Sequence, residues 1–484
     1  MNSDFTASQN DYALYLPAIS TFYTTHMGKY MHNECSIENS RFAKNIPDLE
    51  MLNFLDKNKG IFNYKWGLYS AGHANLDLTK TVSREEMIRS RDRNNTVLLA
   101  DSGGFQIAKG VWEADWKNFD DKAKNYRETV LKWLCTISDY SMTLDIPTWT
   151  CTNQESADKT NIRTVQDAIN TTVLNHEYFM EHSFNDAKFL NVLQGSNHTD
   201  ADEWYEIMKE YNDPKKHDKF FRGWAMGGAN MADPHLILKR IVTIIHDGLL
   251  ETGKHDWMHF LGMSKLDWSV MFTDIQRAVR KYHNPNFTIS FDAASPFLTA
   301  VNACIFRETK FPHLGKWTYS SDNGLDDRKY AKDTRNLRDA ILADGIFDNF
   351  EDSPVSEILS INDICHYAPG DVNLRGEEGV TSWDSYSYML VMAHNVCGHI
   401  NAVQRANRRY DSGIVPKVLF DQFTGETVRD LINRIFAEPD YDKRMQIIDD
   451  SSRFWMQLPG ARGLGGKKAA NKVDKVWNNL FEEE

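Results

Sequence analysis

The chain has 484 residues, 41% of them apolar, with 55 basic against 68 acidic residues and a net charge of −13. That composition is globular and excludes wholesale disorder, while the charge argues against a protein held to nucleic acid by electrostatics alone. There is no run of about 18 apolar residues, so no helix is expected to span a bilayer; six scattered Cys and an N-terminus without a secretory pattern point to a reducing cytoplasm.

Residues 1–60 are mixed and polar around one apolar patch, Tyr12–Ile19, and read as an N-terminal extension. From residue 61 a rhythm begins, in which short β-prone runs stop at a polar residue or glycine and a helical stretch follows. Thr96–Ala100 stops at Asp101, Tyr140–Leu144 at Asp145, and Phe189–Leu193 at Gln194. Gly223–Met226 then stops at Gly227-Gly228, Trp257–Leu261 at Gly262, and Phe287–Phe291 at Asp292. Helices are expected between them at Ala123–Trp133, Thr160–Met180, Ala201–Tyr211, Pro234–Asp247 and Leu266–Tyr282.

Such alternation signals parallel βα units. Their number, and the lack of a Gly-rich dinucleotide loop, favour a (β/α)₈ TIM barrel with an inserted segment and a helical C-terminal appendage. Residues 61–304 would form the main part of the barrel, 305–360 an insertion or lid, 361–459 a helical appendage completing the barrel, and 460–484 a basic exposed tail. Two tail helices are expected at Trp383–Arg409 and Gly425–Phe436.

In a barrel all strand C-termini open on one face, where catalytic residues belong. Asp101, Asp145, Gln194, Gly228 and Asp292 would therefore converge, although any one of them alone is equally well a turn or cap residue. Two carboxylates across a barrel mouth suit glycosidic chemistry, one attacking the anomeric carbon and the other protonating the leaving group. Asp145, Gln194 and the backbone of Gly227 and Gly228 suit the edge of a planar, amide-containing ring better than sugar hydroxyls. Phe105 is either a stacking face or core.

Asp101-Ser102-Gly103-Gly104-Phe105-Gln106 resembles the signature of the tRNA-guanine transglycosylase family, (β/α)₈ enzymes that exchange guanine for a 7-deazaguanine base. Leu144-Asp145-Ile146-Pro147, Val192-Leu193-Gln194-Gly195, Ala225-Met226-Gly227-Gly228, Phe260-Leu261-Gly262-Met263 and Phe291-Asp292 are similar, in order, to further family segments. The glutamate that usually follows the second aspartate is missing here. The likeness covers about residues 95–300. It implies Asp292 as nucleophile at C1′ and Asp101 as general acid–base. Asp145, Gln194, Gly227 and Gly228 would hold the base, with Ser102 and Phe105 beside it. No redox or nucleotide cofactor is implied.

The family's zinc site uses three close cysteines and a histidine. Here His394-Asn395 matches the histidine pair, but only Asp363-Ile364-Cys365-His366 stands upstream. Cys365, His394 and Cys397, with His366, are the candidate zinc ligands; the plainer reading is a degenerate site of buried Cys and His. Basic clusters at Arg405, Arg408 and Arg409, at Arg462, Lys467, Lys468, Lys472 and Lys475, and at Lys215, Lys216, Lys219 and Arg222 are candidate phosphate contacts or ordinary solvated faces. The divergent tail and missing cysteines look more like the phage and bacterial DNA-guanine transglycosylase branch, so DNA is the favoured partner and tRNA the alternative. A homodimer is a further implication of the resemblance. Two readings compete: a non-catalytic partner subunit, against which both Asp101 and Asp292 are present, and a glycoside hydrolase stacking sugars on Trp149 and Trp224.

Overall fold

The computed structural model describes residues 11–35, 37–80, 82–322, 325–326, 328–343, 353–366, 382–455 and 458. Eight parallel strands form a nearly closed barrel: β1 (Leu14–Pro17), β2 (Trp66–Ser70), β3 (Val97–Asp101), β4 (Tyr140–Met142), β5 (Lys188–Leu193), β6 (Gly223–Met226), β7 (Trp257–Phe260) and β8 (Thr288–Ala293). They pair in the order β1-β8-β7-β6-β5-β4-β3-β2, and the Ala18–Leu68 bridge draws the two ends of the sheet together. Helices connect successive strands; the expected Leu266–Tyr282 helix is found with those bounds, and Pro234–His246 begins with proline behind an Asp233 cap, as a helix start favours.

Six of the eight strands were named by pattern, and β1 and β2 were not. The chain at 1–60 is therefore not merely an extension: Leu14–Pro17 is a barrel strand in register with Ser290–Ala293. Four residues are too few to show a period, and this strand is buried on both faces. The last barrel strand ends at Ala293, and the helix Ser385–Asp411 of the expected appendage packs against the Leu266–Tyr282 helix and against β1. In the described part of 305–360, β9 (Ile305–Lys310) and β10 (Thr318–Asp322) form an antiparallel hairpin. That hairpin lies against the long helix Ser385–Asp411 through β9.

Two cores follow from strand alternation. Leu14, Leu16, Leu68, Leu99, Met142, Leu190, Val192, Ala225 and Trp257 point inward and fill the barrel. The intervening residues pack outward against the helices and the tail, in which Ser385–Asp411 is buried along most of its 27 residues. Among the described residues no helix is long and apolar enough to cross a membrane. The expected tail at 460–484 lies outside the described residues.

Candidate active site

Following the inward parity of each strand past its apolar residues reaches Ser70 on β2, Asp101 on β3, Gln194 after β5, His259 on β7 and Asp292 on β8. At this end a cavity of about 270 Å³ opens, lined among others by Ser70, His73, Asp101, Phe105, Gln106, Asp145, Gln194, Gly262 and Asp292. The candidate carboxylates thus share one cavity, at the C-terminal ends of the strands where barrel enzymes act.

Asp101 Oδ2 accepts the Ser70 hydroxyl at 2.7 Å. Burial nevertheless raises the Asp101 pKa, helped by the negative charge of Asp292 and opposed by Ser70, the Gly103 amide and His73. The turn after Asp101 explains its glycines: Gly103 has φ +90°, and a Cβ on Gly104 would stand 2.8 Å from the Asp145 carbonyl oxygen. Asp145 is buried, and its Oδ2 accepts the Gln194 Nε2–H at 2.8 Å. Burial pushes its pKa up to about 7, against that hydrogen bond. The oxygen of the Gln194 amide, Oε1, is buried with no hydrogen-bond partner among the described residues, as is Gln106 Oε1. Two unfilled acceptors and a carboxyl that titrates near neutrality match a ligand edge rich in N–H groups.

Asp292 has a side chain 13% exposed. Its Oδ1 accepts the Gly262 amide at 2.8 Å and lies 3.1 Å from His259 Nε2. Phe105 lines the cavity with its ring 5.9 Å from that of Trp149, and the Lys109 ammonium stands 5.6 Å from the Phe105 ring.

Two expected site residues, Ser102 and Gly227, have polar groups engaged by neighbouring strands. Ser102 is buried and donates to the Thr143 carbonyl at 3.0 Å, tying β3 to the chain beyond β4 rather than facing the cavity. The Gly227 amide donates to the Leu193 carbonyl at 2.9 Å, so the sheet already engages it. Gly228 stays close to the site: a Cβ on it would stand 3.1 Å from Oε1 of the cavity-lining Gln194 and 2.5 Å from the Gly195 carbonyl oxygen. Sequence reasoning missed Ser70, His73, His259 and Gln106. The available signal for His259 was parity, since a lone polar residue in Trp257–Phe260 shares a face with Trp257 and Leu261.

Of the candidate zinc ligands, His394 and Cys365 have hydrogen-bond partners within the protein. His394 Nδ1 is 2.8 Å from Ser353 Oγ and Nε2 is 3.1 Å from the Phe306 carbonyl oxygen, and burial lowers its pKa to about 4. Cys365 donates to the Leu325 carbonyl at 2.6 Å. Cys397 is buried in the long helix. Among the described residues no three His, Cys, Asp or Glu side chains gather as a metal cluster.

Two of the basic clusters also lie away from the cavity. Lys215, Lys216, Lys219 and Arg222 sit in the loop that enters β6, hence at the opposite face of the barrel. Arg408 acts on Tyr12, just before β1, at that same face. Arg405 donates to Thr309 of the hairpin at 3.1 Å.

The geometry defines the class: a (β/α)₈ barrel with a polar, carboxylate-bearing cavity at its C-terminal mouth. Comparison with known proteins adds no narrower assignment, since neither a protein-family model nor a curated protein sequence matches this chain.

Proposed function

We propose that this protein is a pentosyltransferase that exchanges guanine for a 7-deazaguanine base in DNA through a covalent aspartyl-glycosyl intermediate. The observation that carries the reading is that Asp101 and Asp292 line one cavity together with the hydrogen-bonded pair Asp145–Gln194. An oxygen of Asp292 attacks C1′ as the bond to guanine N9 breaks, and Asp101, whose pKa burial raises, supplies the proton the departing base requires. The N9 of the incoming 7-deazaguanine then gives its proton to Asp101 and attacks C1′, releasing Asp292. One hard displacement becomes two easier ones.

Asp145, Gln194 and Gln106 present acceptors to the N–H edge of the base, and Phe105 offers it a ring face. A guanine within a polynucleotide reaches such a cavity only by leaving its stack, at a cost of a few kcal/mol. Beside Asp292 the lining mixes apolar Ala18, Ile19, Ala293 and Phe297 with polar Ser20, Ser295, Thr299 and Asn302.

Incorporation of radiolabelled guanine or 7-deazaguanine into DNA and into tRNA, by the wild type and by Asp292→Asn, tests the proposal. Label is expected in DNA and lost in the variant. Label in tRNA alone would overturn the choice of polynucleotide, and exchange surviving Asp292→Asn would overturn the mechanism.

A further inference from the structure

We infer that His259 is a positioning residue: as a neutral imidazole protonated on Nε2, it holds Oδ1 of Asp292 and leaves Oδ2 as the attacking oxygen. The assignment rests on Asp292 being the nucleophile of the proposed reaction, but the tautomer follows from the hydrogen bonds alone.

Trp257 Nε1 can only donate, and it does so to Ser290 Oγ at 2.7 Å. His259 Nδ1 lies 2.8 Å from the same oxygen, and His259 Nε2 lies 3.1 Å from Asp292 Oδ1. The imidazole is fully buried. Were Nε2 bare, its lone pair would face a carboxylate oxygen in a buried site, where unmatched polar groups are costly. Nε2 therefore carries the proton. Ser290 already accepts from Trp257, and the one acceptor in reach of its hydroxyl hydrogen among the described residues is Nδ1. A neutral ring satisfies every hydrogen in the chain Trp257–Ser290–His259–Asp292. An imidazolium would leave the Ser290 hydrogen without an acceptor.

The consequence falls on Asp292. Its Oδ1 accepts two N–H groups, from Gly262 and His259, whereas Oδ2 has no hydrogen bond among the described residues. The two donors fix the rotation of the carboxylate through Oδ1, and Oδ2, with no protein hydrogen bond among the described residues, keeps its lone pairs for C1′. The same two donors stabilise the carboxylate when it departs in the second step. No proton moves through His259, so its contribution is orientation and not acid–base transfer.

Two measurements on the full chain test the inference. With ¹⁵N-labelled histidine, the His259 ring signals, assigned by their loss in His259→Gln, are expected to report a protonated Nε2 and a bare Nδ1 at neutral pH. An imidazolium, or an Nδ1–H tautomer, would overturn the assignment. In exchange assays His259→Leu is expected to lower kcat about tenfold to a hundredfold, the worth of a hydrogen bond to a charged group, with KM for base and polynucleotide unchanged. His259→Gln, whose amide N–H reaches the same oxygen, is expected to recover most of that loss. Equal activity in the Leu and Gln variants would overturn the positioning role. Absence of exchange by the wild type on any polynucleotide would instead overturn the proposed function, and the nitrogen signals would still decide the arrangement at Asp292.

Discussion

At the N-terminal end of the barrel the rings of Trp66 and Tyr140 stand 5.7 and 4.5 Å from that of Trp257, whereas at the other end Ser70, Asp101, Gln194 and Asp292 open onto a cavity. Both sets occupy inward positions of the barrel strands, and β2 supplies a member to each, Trp66 and Ser70. The lower set fills volume and contributes stability. The upper set holds polar atoms buried or nearly so and partly unmatched, which costs stability and makes a ligand site. His259 and Ser290 lie between the two, joined to the plug through Trp257 and to the mouth through Asp292. The barrel thus grades from packing to chemistry along its axis, and a polar link in the middle couples the two ends.

Substitutions at the two ends should therefore separate activity from stability. The largest expected effect is at the mouth, where Asp292→Asn should lower exchange by at least about a thousandfold with little change in melting temperature. If melting shifts as much as activity, the division between the ends fails. Trp257→Ala at the plug should do the reverse in stability, costing about 3–5 kcal/mol in chemical denaturation as a large buried ring is lost. A loss near zero would mean that the lower end is not sealed by packing.

A subtler contrast is in pH. Asp145 is held at about 7 in the folded state, against about 3.9 for an unperturbed aspartate. The folded protein therefore binds a proton the unfolded chain has released, and the stability contributed by this group is present below the unfolded pKa and lost as pH rises through about 7. Asp101, also raised by burial, acts in the same direction. Asp145→Asn should flatten the melting temperature profile across that window; a profile parallel to wild type would show the carboxyl to be solvated. The smallest expected effect is at the rim. Lys109→Ala removes the cation beside Phe105 and Trp149 and should reduce the salt dependence of polynucleotide binding by about one phosphate contact. Charge removal at Lys215 or Lys216, at the opposite face, should leave that slope unchanged.

The rhythm of apolar runs ending in Asp, Gln or Gly was enough to name six strands, the helices between them and the barrel class, and it located Asp101, Asp145, Gln194 and Asp292 on the cavity. It failed at β1, where four residues buried on both sides carry no alternation, and at Ser102 and Gly227, whose polar groups turn out to be engaged by neighbouring strands. Local sequence cannot distinguish a hydroxyl facing a ligand from one facing a carbonyl on the next strand. The candidate zinc residues illustrate the same limit, since His394 has both nitrogens matched by Ser353 and Phe306, from distant parts of the chain.

Taken alone, the order of residues along this chain determined where strands end and which residue types stand there, because period and turn chemistry are local properties. Which of those residues face a common space, and that His259 meets Asp292, was decided only when β7 and β8 paired in register, bringing His259 opposite Ser290. Hydrogen bonds between strands depend on the closure of the barrel, and no stretch of sequence contains that closure.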